Sequence, residues 1–404
     1  MTSPSGYFDL LRVKGFPRLA ASLLIGRVAG QMFTVAFVLF VLSRYHSPQL
    51  AGVATFLLLA PGLVLSPIAG ALLDRYSRTR LIMLDYLVAS ATVLLFAGLS
   101  AGHLLSTPLM LGICVVSSLT APLGVAGARA IFPILVPADL WERANAIDNS
   151  SSVLSSVLGA PLAGLLVGFA GPEWALGVDG VLFAAAGLAI LAVHDPGLRQ
   201  RGGRVLGQAW GGLVYVLRNP TLVGLALTFF FFNVSWGVLV IAVPVLVLDR
   251  LHQGPVVVGY LWGAVGAAGF ISTLFVGRLR TRGRERQLMT AAVAGVGLAM
   301  AALPGAGSVG LVAVALIAIA VVSTPFDISF LTLRQRRTDP AQFGRAFAVS
   351  VSLNSAGSPI GSALAGTLIA WSLTGALWFA VAAMLVAALF PLLLIPAETE
   401  SPVA

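Results

Sequence analysis

Charge is what this chain has least of. Only 10% of its 404 residues are Asp, Glu, Lys or Arg, while 58% are hydrophobic. A soluble domain carries about a quarter charged residues, so no ordinary water-soluble domain fits this composition. Cysteine is nearly missing too. Cys114 is the single one, which excludes an intrachain disulfide and reads as a small packing residue. The four histidines, His46, His103, His194 and His252, lie in loops without metal-ligand spacing, so no metal site is expected. No Gly-Lys-Ser/Thr phosphate loop is present, which argues against ATP as fuel. No elbow-type serine has a partnered histidine, so no catalytic residue, enzyme activity or cofactor is expected. The formal charge of +9 does not point to nucleic acid, because it is divided among many short loops. Topology and contact with anionic inner-leaflet lipids account for it.

What the chain has is apolar length. A spanning helix needs about 20 apolar residues. Twelve such stretches can be read, roughly 17–43, 49–73, 81–100, 107–129, 147–170, 174–193, 220–248, 256–277, 287–304, 308–330, 347–370 and 373–396. With the N-terminus in the cytosol, Arg44 and Arg250 are the basic residues of the outer loops and Arg27 lies inside the first span. The remaining 21 of the 24 fall on the inner side, among them Lys14, the one lysine. The positive-inside rule therefore places both termini in the cytosol. The first residues show no removable signal peptide. Arginine in place of lysine hints at a GC-rich bacterium, hence at a bacterial inner (cytoplasmic) membrane.

The longest inner segment divides the spans six and six. The expected organisation is a bundle over 1–193, a cytosolic linker over 194–219 and a second bundle over 220–404. Within the linker, Leu206, Trp210, Leu213 and Leu217 recur at helical spacing, as in a short amphipathic helix lying on the membrane surface. The halves also repeat. Gly70-Ala-Leu-Leu-Asp-Arg after the second span is matched by Gly277-Arg-Leu-Arg-Thr-Arg after the eighth. Pro137-Ala-Asp-Leu-Trp-Glu-Arg-Ala before the fifth is matched by Pro340-Ala-Gln-Phe-Gly-Arg-Ala before the eleventh. Gly159-Ala-Pro-Leu-Ala is echoed by Gly357-Ser-Pro-Ile-Gly. Paired bundles of this kind suit a carrier that rocks about a central site.

On these residues the chain resembles the major facilitator superfamily. Gly70, Asp74, Arg75, Arg78 and Arg80 match the family signature after the second helix, with Ser77 in place of its second glycine and Thr79 between the arginines. The resemblance is strongest to the drug–proton antiporter branch that includes macrolide and tetracycline exporters. It is carried by Leu84-Asp-Tyr-Leu, by Ala128 to Pro137 leading to Arg143-Ala-Asn-Ala, and by Leu206 to Pro220. It implies an all-α fold of twelve transmembrane helices and proton-coupled efflux of small hydrophobic or cationic compounds, as in multidrug efflux and antibiotic resistance. The alternative is a carrier of one metabolite such as a peptide, siderophore or lipid; a non-transporting sensor or assembly partner is disfavoured by the lack of a soluble domain. A monomer suffices, with a small molecule, protons and the lipid bilayer as its partners.

The resemblance assigns Asp74 and its arginines to a latch that closes against the start of span 11 and Arg129. Arg27 is the oddest residue. A cation near mid-membrane costs about 2.5–3.5 kcal/mol on insertion scales, so it must face the bundle interior or a wet cavity with a partner. Gln31, one turn on, shares its face, at a place where relatives of that branch often carry an acid. Asp85 in span 3 is the first candidate for proton coupling, and Asp179 near the end of span 6 the second. Asp148 reads as a helix-start charge, and Asp327 as a partner for Arg334 or Arg337. Asn233 and Trp236, after the run Phe229 to Phe232, are candidate cavity residues, with Asn354 a further one. Gly159, Pro161 and Gly164 imperfectly match an antiporter motif and read as tight helix packing, as do Gly259 and Gly263.

Overall fold

A computed structural model describes residues 7–195, 197, 205–276, 283–338 and 350–396. Among these residues the chain is all-helical, with no strand. Once apolar segments leave water, every backbone N–H and C=O needs an internal partner, and a helix supplies one for each. After a short α1 (Tyr7–Arg12) come α2 (Phe16–Tyr45), α3 (Pro48–Arg75), α4 (Arg78–Ala101), α5 (Thr107–Leu135), α6 (Trp141–Ala170) and α7 (Pro172–Leu191). A second series follows α8 (Val205–Arg218): α9 (Pro220–Val245), α10 (Pro255–Val276), α11 (Glu285–Met300), α12 (Val309–Arg337), α13 (Gly357–Trp371) and α14 (Leu373–Leu394).

Ten of these helices are long and apolar enough to cross a membrane. The other two members of the series are α11, with 16 residues, and α13, with 15. Residues 350–355 are helical, and a turn at Ala356 separates them from α13. The architecture is that of a polytopic membrane protein with twelve transmembrane helices in two six-helix bundles. Local chemistry sets several helix ends. The Asn219 side chain caps α9, accepting from the N–H groups of Thr221 at 3.0 Å and Leu222 at 3.3 Å. Ser372 caps α14 through the Gly375 N–H. Gly171, at φ +94°, ends α6 before Pro172 opens α7.

By packing, the chain divides into two compact units. One comprises residues 1–44, 57–203 and 254–263, and the other 45–56, 204–253 and 264–404. The exchanged segments are the first turns of α3 and α10. Glycine explains both. In the first unit a Cβ on Gly164 would meet the backbone of Gly259, and one on Gly263 would meet the Pro161 ring. In the second unit Gly52 lies against the Ser362 carbonyl and the Gly366 backbone. Small residues at these crossings let helix backbones approach directly.

Within each unit similar ties recur. On its first helix a serine donates to a carbonyl of its sixth: Ser22 to Ala186 at 2.7 Å, and Ser235 to Ala380 at 2.8 Å. An arginine at the end of that first helix, or for Arg250 on the π-helical turn Leu246–Arg250 that continues α9, reaches the loop after the third. Arg44 meets the His103 ring at 3.1 Å, and Arg250 donates to the Pro304 carbonyl at 2.8 Å and to the Thr374 hydroxyl at 2.5 Å. Two residues beyond each arginine, His46 and His252 take positive φ, as does His103, so three of the four histidines occupy left-handed turn positions that histidine tolerates better than most residues. At the start of the third helix, the Arg78 N–H donates to Asp195 at 2.6 Å, and the Arg286 guanidinium donates to the Leu392 carbonyl at 2.8 Å.

Candidate functional site

The Arg27 guanidinium lies eleven residues into α2, about 16 Å along its axis. Its partner is Asp148. One guanidinium nitrogen meets the Asp148 carboxylate at 2.6 Å, and another donates to the Asp148 backbone carbonyl at 2.7 Å and to the Ser151 hydroxyl. Both side chains of the pair are 26% exposed. The sequence pattern reads span 5 as beginning at 147, which makes Asp148 a helix-start charge. That reading is corrected here, because α6 begins at Trp141 and carries Asp148 two turns into the helix. The apolar window missed those turns because Glu142, Arg143, Asn145 and Asn149 make them polar.

One turn beyond Arg27, Gln31 is exposed and reaches the Ser156 hydroxyl at 3.5 Å, which is at the limit of a hydrogen bond. Gly159 makes this approach possible, since a Cβ there would meet the Gln31 Cβ and the Val28 and Met32 backbone. The echoing glycine of the second unit is used in the same way. Gly357 lies on α9 against the Phe230 carbonyl and the Asn233 Cβ. The Asn233 amide donates to the Asn354 backbone carbonyl at 3.0 Å. Asn354 is buried, and its side-chain oxygen has no hydrogen-bond partner among the described residues. Trp236 is half-buried.

The run Phe229 to Phe232 is largely taken up by packing. Phe229 packs at a tilt against Phe326 and Phe330 with ring centres 5.4 and 4.6 Å apart, Phe232 stacks on Phe326 at 5.0 Å, and Phe231 stacks on Phe390 at 5.5 Å. Arg334 extends the cluster, its guanidinium 4.2 Å above the Phe330 ring. Asp327 is exposed and makes no ion pair with Arg334 or Arg337 among the described residues.

Asp85 on α4 is half-buried, and its carboxylate rests on Gly124 of α5. A Cβ at position 124 would occupy the carboxylate's place. Gly124→Ala should therefore displace Asp85 while costing little stability, because the atoms it meets are the far end of a side chain rather than backbone. The check compares unfolding temperature with substrate movement against a gradient; an unmoved transport rate would show that the position of Asp85 is immaterial. Asp179 on α7 is fully buried, and neither carboxylate oxygen has a partner among the described residues.

At the α3–α4 turn Arg75 and Arg80 are exposed, as is Arg129 near the end of α5. Arg78 is instead held by Asp195, its guanidinium 3.6 Å from that carboxylate. Beside it lies a cleft of about 910 Å³ lined by Tyr76, Arg80, Leu84, Leu191 and His194 among others. Among the described residues no neighbour lies within 4 Å of a Cβ built on Gly70. The Asp74 side chain, residues 277–282 of the second motif copy and residues 339–349 before span 11 lie outside the described residues, as does the side-chain pattern of Leu206 and Trp210 in α8.

Two series of apolar helices, with a half-buried ion pair within the first, define a polytopic membrane protein. Residues 19–337 match the model of the Major Facilitator Superfamily, and the chain belongs to that family. It is 39% identical over 375 residues to the uncharacterized MFS-type transporter y4rN of Sinorhizobium fredii, covering 91% of this chain and 92% of that one. It is 28% identical over 387 residues to the enterobactin exporter EntS of Shigella boydii, covering 91% and 89%. Among solved structures it is similar to the nucleoside transporter NupG (TM-score 0.78, 11% identity, covering 94% of this chain and 99% of that one). It is also similar to a bacterial homologue of the iron transporter ferroportin (TM-score 0.75, 17% identity, 95% and 98%). At these identities the solved structures establish the fold alone. The chain is thus a multi-pass membrane transporter handling a small molecule.

Proposed function

We propose that this chain is a proton-coupled exporter of a small organic metabolite, working by alternating access in a bacterial cytoplasmic membrane as a monomer with both termini and the 194–219 linker in the cytosol. The observation that carries the reading is the Arg27–Asp148 pair. A pair held this deep, on a helix whose exposed mid-span neighbour is Gln31, belongs beside a wet cavity. Similarity to an enterobactin exporter over nine-tenths of the chain supports export of a siderophore-type metabolite. Asp85 is the proposed proton carrier, with Asp179 second; Asp74, Arg75, Arg80 and Arg129 form the proposed latch. A drug–proton antiporter for lipophilic compounds is the second reading, favoured by the half-buried rings of Phe229, Phe230 and Trp236.

The test measures export from cells with and without the chain, with and without a protonophore, following both a fluorescent cationic dye and the secreted metabolites. Loss of one secreted metabolite on deletion, reversed by the intact gene, is expected. Dye efflux alone would favour the second reading, and no change in either would overturn export. Asp85→Asn should abolish uphill movement yet leave downhill exchange, since the pathway survives while the titrating group is gone. Concentrative transport at the normal rate in Asp85→Asn would remove Asp85 from the coupling mechanism.

A further inference from the structure

The first half of α6 is unusual for a membrane helix: Asn-Ala-Ile-Asp-Asn-Ser-Ser-Ser-Val-Leu-Ser-Ser. Its exposed residues sort onto two faces. Leu154, Leu158, Leu162 and Phe169 are exposed along one side, with Ser150 at its edge, and suit lipid. Asn145, Asn149 and Ser152 are exposed along the opposite side, and half-buried Ser156 continues their line at i, i+4, i+7 and i+11. This amide–hydroxyl line is about 16 Å long at the rise of an α-helix. It runs from near the start of α6 to the level of Gln31. The neighbouring helix agrees. Between Ala21 and Ser43, α2 has only Gln31 and Thr34 exposed, and both lie on the Arg27 face. A line of exposed amides at this depth is not stable against hydrocarbon, whereas a lone hydroxyl such as Ser150 can bond its own helix, so both stripes line water. The charges beside them cancel, because Arg27 is bound to Asp148.

We infer that the α2–α6 stripe is the solute-binding wall of the first unit, and that its occupant is an uncharged solute bearing amide and hydroxyl groups rather than a lipophilic cation. The wall offers donors and acceptors in both directions, and at the depth of Arg27 its one cation and one anion are already satisfied by each other. Glu142, exposed one turn before Asn145, stands at the helix-start end of the line; deeper in, a cationic solute meets no free carboxylate and an anionic one no free guanidinium. Neutral hydrogen-bonding groups are left as the complementary chemistry, with each bond made or lost worth about 1 kcal/mol, or about fivefold in affinity. The inference rests on the export reading for its purpose but not for its geometry.

The test uses the full-length chain with Cys114→Ala and single cysteines at 145, 149, 152 and 156, or at 154, 158 and 162. A membrane-impermeant methanethiosulfonate reagent is applied to both faces of the membrane. Chloramphenicol, a neutral solute with an amide and two hydroxyls, and tetraphenylphosphonium, a lipophilic cation, are the protecting probes. The first cysteine set should label at least tenfold faster than the second, and millimolar chloramphenicol should slow labelling where tetraphenylphosphonium does not. Equal labelling of the two sets would overturn the water-lined wall. Protection by the cation, or by neither probe, would overturn the solute class. Because labelling is read without transport, a chain that labels as expected but exports nothing would refute the export reading and leave the wall intact.

Discussion

Arg27→Ala is expected to lower export at least tenfold and to destabilise the first unit. The substitution strands Asp148 among serines at membrane depth, with its carboxylate no longer opposed. Removing one partner of a fully buried pair costs about 3–5 kcal/mol. The partial exposure of both groups brings this down to about 1–3 kcal/mol, because water screens what it reaches. Arg27→Met combined with Asp148→Leu separates structure from mechanism, since apolar residues of similar volume can replace such a pair at little cost. The double variant should regain the unfolding temperature of the parent in detergent. It should not regain export, because the polar wall has lost its anchor. Full activity in the double variant would reduce the pair to a folding device.

Gly159→Leu and Gly357→Leu should each prevent accumulation of folded protein. At both places the added side chain meets backbone of the first helix of the same half, Val28 and Met32 in one case and Phe230 and Val234 in the other. Backbone cannot step aside as a flexible side chain can, so the cost exceeds the usual 1–3 kcal/mol of overpacking and is about enough to exhaust the margin of a marginally stable fold. Gly112→Leu is the control. Gly112 is exposed on α5 and no neighbour among the described residues lies within 4 Å of a Cβ there, so it should express and fold like the parent. Fluorescence-detected size-exclusion chromatography distinguishes the outcomes. A monodisperse Gly159→Leu protein would show that α2 and α6 do not depend on this crossing.

Most of the helices were legible from apolar length, because a lipid-exposed helix must be apolar over a run that no soluble helix needs. Where polar residues intrude, the reading slipped. The start of α6 moved from 147 to Trp141, and with it Asp148 changed from an end charge to the partner of Arg27. A search for an acid to match the buried arginine, carried out before drawing the span ends, could have found it. The glycine–proline echo identified a repeat, but its use in seating an amide-bearing helix, Gln31 in one half and Asn233 in the other, needed the tertiary structure. The phenylalanine run looks like a cavity wall in one dimension. In three, rings from α12 and α14 claim much of it, which periodicity along a single helix cannot reveal.

The shared seat of Gly159 and Gly357 fixes a correspondence in which Gln31 answers to Asn233, so Arg27 answers to Phe229, both lying four residues earlier. A duplicated scaffold has thus kept its joints and divided its labour: one copy presents an ionic, hydroxylated surface where the other presents an arene. If the proposed wall holds, cargo is retuned by editing a single copy, with the glycine seats of both untouched. Chimaeras that trade α2 and α6 between relatives should accordingly exchange preference for cargo without exchanging the machinery that moves it.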